Sequence, residues 1–256
     1  MELIDTHTHL YSEEFKEDIA EVIKRADHAS IKQFYLPAID STTHEAMIAL
    51  EAGYPGRCHA MMGLHPCSVN ENYKKELEIV KNWLGKRDFV AIGEIGLDFY
   101  WDKTHIDQQY EAFKLQMHWA LERGLPIVIH ARESLDECIA AVKPFSEKGL
   151  KGIFHCFGGT TEQAKAIIDL GFYLGIGGVF TFKKANMPET LKDISLKNIV
   201  LETDSPYLAP VPYRGKRNES SYLLNIAEAL SNAKAISIDE VAEITSANAR
   251  EIFKAK

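Results

Sequence analysis

Leu3-Ile4-Asp5-Thr6-His7-Thr8-His9 opens the chain as a short apolar run that ends in two histidines spaced two apart. On an extended strand, residues i and i+2 point to the same face, so His7 and His9 are expected side by side. Two neutral imidazoles on one face can hold a divalent ion, and at the end of a buried strand they would be costly without such a partner. A lone His-x-His is a short motif, and a hydrogen-bonded pair of histidines in a loop is its ordinary alternative. What decides between them is whether an apolar strand with a polar tip recurs along the chain.

The strand-then-helix step repeats until eight strands are counted. Glu13 to Ala29 carries Phe15, Ile19, Val22, Ile23 and Ala26 at helical spacing, and Gln33 to Pro37 reads as a second buried strand. Ser41 to Ala52 reads as a helix with Ser41 as its N-cap, His59 to Leu64 as the third strand, and Tyr73 to Gly85 as the next helix. Phe89 to Glu94 is the expected fourth strand. A helix over Asp107 to Arg123 ends at Gly124 and leads through Pro126 into Ile127-Val128-Ile129-His130. A helix around Glu133 to Glu147 precedes the strand Gly152 to His155, and Thr160 to Leu170 is helical. Phe172 to Ile176 and Ile199 to Glu202 supply the last two strands. Ser221 to Lys254 reads as two helices, the second capped at Ser237 or Asp239. Eight short strands alternating with helices predict an α/β fold of the (β/α)8, TIM-barrel type, as one domain over residues 1–256. No Gly-x-Gly-x-x-Gly follows the first strand, which speaks against an open dinucleotide-binding sheet.

Composition narrows the field. With 46% hydrophobic and 26% charged residues the chain is an ordinary globular one, not a disordered one. A net charge of −8 speaks against a basic coat for nucleic acid, although it leaves room for a local basic patch. Cys58, Cys67, Cys138 and Cys156 show no Cys-x-x-Cys spacing, which suits reduced thiols. With no basic-then-apolar leader and no apolar run near the ~18 residues of a membrane span, the expected location is the cytoplasm, with no membrane partner.

In a barrel of this type the chemistry sits at the C-terminal ends of the strands. There the sequence places His7 and His9, His65, Glu94, His130, His155 and Asp204. Parity supports the placement: Val90 and Ile92 share a face with Glu94, Val128 with His130, and Ile153 with His155. His7, His9, His130 and His155 with the two carboxylates on one rim would repel or stay unpaired unless cations joined them. Nitrogen and carboxylate donors suit Mg, Mn or Zn, the number of ligands favours two ions, and a central Glu can bridge a pair. No organic cofactor is called for.

Six stretches together resemble one family: Ile4 to Leu10, Gly63-Leu64-His65-Pro66, Gly93-Glu94-Ile95-Gly96-Leu97-Asp98, His130-Ala131-Arg132, His155-Cys156-Phe157-Gly158-Gly159, and Glu202-Thr203-Asp204-Ser205-Pro206-Tyr207-Leu208. They are similar, in order and across essentially the whole chain, to the signature set of the TatD family of metal-dependent deoxyribonucleases in the amidohydrolase-like barrels. The resemblance implies that His7, His9, Glu94 and Asp204 hold one divalent ion. It implies that Glu94, His130 and His155 hold the second, with Glu94 bridging. The chain departs from the family at Ser220, where proline usually follows the Asn-Glu pair, and this puts the local loop geometry in question.

Around the ligands, Asp204 could also take a proton from an attacking water, and Glu94 shares the catalytic assignment. Glu202 and Asp5 read as carboxylates that orient a histidine. His65 could bond substrate or a bound water, or be structural. Arg132 and the run Arg214, Lys216 and Arg217 would place positive charge for a phosphodiester on the rim of an acidic protein. Phe99, Tyr100 and Trp101 could stack bases, although packing is the commoner outcome for such aromatics. The expected function is hydrolysis of DNA phosphodiester bonds, as an exonuclease acting on single strands or ends, by a metal-activated water at a two-metal site. The alternatives are a metal-dependent amidohydrolase or esterase on a small or aminoacyl substrate, and a non-cutting module that binds metal and DNA.

Overall fold

The computed structural model describes residues 1–254. Eight parallel strands follow in chain order: β1 (Leu3–Asp5), β2 (Ile31–Pro37), β3 (Cys58–Met61), β4 (Ile92–Asp98), β5 (Ile127–Arg132), β6 (Gly152–Phe154), β7 (Tyr173–Ile176) and β8 (Ile199–Leu201). Strands β1 to β3 and β4 to β8 form two continuous runs in sequence order. A parallel bridge between Met62 and Ile92 joins β3 to β4. The other seam closes where Thr6 N–H donates to Leu201 O at 3.0 Å. The result is the (β/α)8 barrel that the alternation predicts.

The barrel is a packed core. Ile4, Tyr35, Met61, Ala91, Val128, Ile153 and Val200 fill it, and Ala249, Ile252 and Phe253 close its lower end. Those last three belong to α9 (Ile238–Phe253), whose Phe253 ring stacks on Tyr35 at 3.9 Å. A larger layer, with Phe34, Leu36, Ile92, Ile129 and Phe154 among its members, packs the strands against the surrounding helices. With the lower mouth plugged by α9, the upper mouth is the end left for chemistry.

Two strand boundaries differ from the sequence expectation in ways that matter. β1 stops at Asp5, and His7 and His9 lie in the bent segment beyond it. β4 begins at Ile92 and runs to Asp98, so Glu94 lies inside the strand and not at its tip. Ile92 pairs with Ile127 but Ile95 pairs with Ile129, which is three residues on β4 against two on β5. A bulge of this kind reverses side-chain parity. Ala91, not Ile92, therefore faces the barrel interior, and the extra residue turns Glu94 back inward. The expected parity of Val90 and Ile92 with Glu94 is corrected accordingly.

The helices are close to expectation: α1 (Ile19–His28), α2 (His44–Gly53), α3 (Tyr73–Lys86), α4 (Ile106–Arg123), α5 (Leu135–Ser146) and α6 (Thr161–Asp169) follow their strands. Phe15 is buried from a separate turn, Glu13–Phe15, ahead of α1. Ser41 does not cap α2, because its N–H and hydroxyl both donate to Glu76, at 2.9 and 2.8 Å, and the helix starts after Thr43. Gly124 closes α4 with φ of 62°, as its position suggests. Residues 177–198, which show no periodicity, form short turns and the one-turn α7 (Met187–Thr190). After β8 come α8 (Leu223–Lys234) and α9, the latter capped by Ser237, whose side chain accepts from Glu240 N–H. All four cysteines are free. Among the described residues, no helix is long and apolar enough to cross a membrane.

Candidate metal centre

The segment carrying His7 and His9 is fixed from both sides. Thr8 N–H donates to Tyr35 O at 3.0 Å on β2, His9 N–H to Ser205 O at 2.7 Å, and Asp204 N–H to His7 O at 2.9 Å. The histidine segment is thereby laced to the loop that carries Asp204, which ties two ligand candidates nearly two hundred positions apart. β4 contributes Glu94, β5 contributes His130, and His155 follows β6.

Glu94 is the hub, buried with both oxygens engaged. Its Oε2 lies 3.1 Å from His7 Nε2 and 3.6 Å from His9 Nε2. Its Oε1 lies 2.8 Å from His130 Nδ1 and 3.2 Å from both His155 Nε2 and His65 Nε2. Asp204 Oδ1 completes the first side, 3.8 Å from His7 Nε2 and 3.6 Å from His9 Nε2. Donor atoms gather into sets within 4.8 Å of one another: His7, His9 and Glu94; His7, His155 and Asp204; Glu94, His130 and His155. The six expected ligands are thus brought together, and Glu94 faces both groups. His9, Glu94, His130, His155 and Asp204 floor a cavity of about 570 Å³ whose rim includes Trp101, Arg132, Tyr207 and Leu208, with His7 buried beneath them. A wider groove of about 980 Å³ between α3 and α4 contains none of them.

The donor set fits a divalent cation because the far nitrogens are held. Tyr11 donates its hydroxyl to Pro37 O, so its oxygen accepts from His9 Nδ1–H at 2.9 Å and leaves His9 Nε2 with its lone pair facing Glu94 and Asp204. Asp98 Oδ2 accepts from His130 Nε2–H at 2.8 Å, which turns Nδ1 toward Glu94. Glu202 Oε1 lies 3.0 Å from His155 Nδ1 and leaves Nε2 to face inward. Gly175 makes room for this carboxylate, since a Cβ there would come within 2.3 Å of Glu202 Oε2. Glu202 therefore acts as the sequence suggests, while Asp98 and Tyr11 are additions that it did not disclose.

Burial and neighbouring charge set the protonation states. Burial pushes the Glu94 carboxyl up, but His65, His155, His7 and His130 outweigh it and hold the group well below the usual carboxylate range. Burial likewise opposes ionisation of Asp204, and the His9 hydrogen bond with the neighbouring His155 and His7 keeps its carboxyl below its ordinary value. His7 is pushed down by burial and by His155, whose ring stacks on it at 3.7 Å, so it stays a neutral donor. His65 is also lowered, chiefly by burial. Its Nδ1 accepts from Cys67 N–H at 3.0 Å, so the proton sits on Nε2, and His65 enters the mouth as a hydrogen-bond donor.

Other expectations need correction. Asp5 touches no imidazole; it accepts from Thr203 N–H at 2.9 Å, Thr203 Oγ1 at 2.6 Å and Ser220 Oγ at 2.6 Å. Ser220, the departure from the family pattern, is therefore a buried donor to a carboxyl that burial pushes up to about 7. Ser220→Ala should lower stability by about 1–3 kcal/mol, read as a drop in Tm with ion content unchanged. A Tm equal to wild type would show that the bond is idle. Arg217 is committed elsewhere: it pairs in bidentate fashion with Asp18, at 2.8 and 2.7 Å, and lies over the Phe15 ring. Arg214 stacks on Phe182 at 3.8 Å and, like Lys216, does not line the cavity. Only Arg132 of the four expected cations does so. Phe99 packs as expected, whereas Tyr100 and Trp101 are exposed.

A closed parallel barrel with a histidine-carboxylate cluster at its open mouth is the architecture of a metal-dependent hydrolase. The family model described as TatD related DNase matches residues 4–254, and the chain belongs to the TatD family. A Bacillus subtilis (strain 168) protein named uncharacterized metal-dependent hydrolase YabD is 37% identical over 253 residues, which cover 98% of this chain and 99% of that one. An Edwardsiella piscicida protein named 3'-5' ssDNA/RNA exonuclease TatD is 31% identical over 261 residues, covering 98% and 99%. The crystal structure of YJJV, a TatD homolog from Escherichia coli K12, superposes with a TM-score of 0.93 at 26% identity, covering 99% of this chain and 98% of that one.

Proposed function

We propose that the chain hydrolyses phosphodiester bonds of DNA, acting as an exonuclease on single strands or strand ends, with two divalent ions (Mg, Mn or Zn) at the barrel mouth. The observation that carries the reading is the division of Glu94, one oxygen toward His7 and His9 and the other toward His130 and His155. His7, His9, Glu94 and Asp204 would hold one ion, and Glu94, His130 and His155 the other. Ions held there supply activation of water at neutral pH and neutralisation of charge on a phosphate. The side chains do the rest. Asp204, kept ionised, accepts a proton on a carboxylate oxygen as water attacks. The Arg132 guanidinium donates to phosphate oxygens, which places the phosphorus over the cluster, and His65 Nε2–H, which donates to Glu94 Oε1 at 3.2 Å, orients that carboxylate. Support for a nucleic-acid substrate comes from the family and from the exonuclease name of the Edwardsiella relative.

Turnover of a labelled single-stranded oligonucleotide with manganese or magnesium tests this, beside an amide and a lactone substrate. Cleavage of the acyl substrates alone would replace the reading with an amidohydrolase, and metal-dependent binding without turnover would replace it with a binding module. The cations give a second test. Arg132→Ala should lower kcat on DNA and flatten the salt dependence of affinity by roughly 0.7 in log-log slope for each phosphate left unneutralised. Arg214→Ala and Lys216→Ala should act on affinity alone. Arg217→Ala should cost at most about 1 kcal/mol of stability, since its ion pair is partly exposed, and leave the slope in place. Equal slopes for Arg132→Ala and wild type would remove Arg132 from the phosphate path.

A further inference from the structure

One lip of the mouth carries more aromatic surface than packing needs. On the loop after β4, Trp101 is 66% exposed and Tyr100 48% exposed, with their rings edge to face at 4.9 Å. The Arg132 guanidinium lies over both, 4.0 Å from the Tyr100 ring centre and 5.2 Å from that of Trp101. The loop is pinned: Asp98 Oδ1 accepts from Tyr100 N–H at 2.9 Å and from Trp101 N–H at 3.0 Å. The other oxygen of that carboxylate holds His130 at 2.8 Å. Gln109 fixes Asp98 in turn, accepting from its N–H at 2.9 Å and donating to its carbonyl at 3.2 Å. One carboxylate thus ties the exposed aromatic pair to the donor cluster at a set distance. Trp101 and Arg132 both line the cavity above Glu94.

We propose that Trp101, Tyr100 and Arg132 form a platform for one unpaired nucleobase beside the scissile phosphodiester, the rings stacking on the base and the guanidinium donating to its flanking phosphate. This rests on the nuclease reading above. Every base offers a π face, so a stacking platform is tolerant of sequence, and a guanidinium held over an aromatic ring can still turn its fork of donors toward phosphate. A base inside a duplex is already stacked and paired, and withdrawing it is costly. The platform therefore selects strand ends that are single, and it does so without reading sequence.

The test is binding of a short phosphorothioate-linked single strand to the manganese-loaded protein, followed by tryptophan emission. A strand of the same length and charge with an abasic terminus serves as its control. The base-bearing strand is expected to quench the emission of exposed Trp101, and the abasic strand to bind without quenching. Trp101→Ala should lose the quench and raise Kd for the base-bearing strand roughly ten-fold, closing the gap to the abasic one, while Trp101→Phe recovers most of the affinity. Equal quenching by both strands, or wild-type affinity in Trp101→Ala, overturns the platform and leaves the nuclease reading intact. A wild-type protein that binds neither strand overturns both.

Discussion

Glu94→Ala is expected to lower kcat/KM on single-stranded DNA by on the order of 10³-fold or more, and to lose bound ion from both sides of the cluster. The reason is geometric. Glu94 alone faces His7 and His9 with one oxygen and His130, His155 and His65 with the other, in a site where it is 3% exposed. Its loss leaves several imidazoles turned inward with no shared anion, so cation affinity falls on both sides. His155→Ala leaves His7, His9, Glu94 and Asp204 in place and should cost less ion and less rate than Glu94→Ala, although His155 also stands within 4.8 Å of His7 and Asp204. Elemental analysis after loading, with turnover of a labelled strand, separates the variants. Glu94→Gln keeps the shape and removes the charge, which guards against a folding defect. If Glu94→Ala kept the wild-type ion content and rate, the proposed bridging role of Glu94 would be excluded.

How much of this could be read from the sequence depends on the range of the interaction. The barrel was legible because its signal is local: apolar runs of strand length, helical spacing between them, and a glycine such as Gly124 where a helix must stop. His130 and His155 were legible for the same reason, since Val128 and Ile153 two residues earlier point into the barrel. Glu94 was found as part of a motif, but the parity offered for it was wrong, because the bulge between Ile92 and Ile95 cannot be seen without the partner strand β5. Asp98 stood in the same quoted motif with no role assigned. Its work lies in tertiary space, where it binds a histidine on the neighbouring strand. An aspartate just before Phe99-Tyr100-Trp101 is a signal for a side-chain-capped turn, and it could have been used. Tyr11 illustrates the limit, since its meaning depends on Pro37 O lying within reach.

The surface cations scatter for a related reason. Arg214, Lys216 and Arg217 are adjacent in sequence, and adjacency suggested a common target. The fold sends Arg217 to Asp18 and Arg214 onto Phe182, while Arg132, alone on its strand, stands at the mouth. Charge in a loop says little about direction until the neighbouring loop is known.

Asp204→Asn should separate the two tasks assigned to this residue. Asparagine keeps an oxygen where Oδ1 faces His7 and His9, so an ion can still be held there at saturating metal, but the amide cannot take a proton at neutral pH. If Asp204 accepts the proton of the attacking water, kcat falls by roughly 10²–10⁴-fold and stays low as manganese is raised. If it serves only as a ligand, the loss is in apparent metal affinity, and kcat returns at high manganese. The pH profile adds a second reading. The neighbouring histidines hold the Asp204 carboxyl below its ordinary value of 3.8 against the effect of burial. A base must be ionised to act, so the wild-type rate should stay level with respect to this group down through pH 5 and decline only as its lowered pKa is approached. A variant whose kcat is fully restored by metal would assign Asp204 to ion binding alone, and the proton would then have to leave by another group at the mouth, with His65 excluded because its Nδ1 is occupied by Cys67 N–H and its Nε2 already carries the hydrogen.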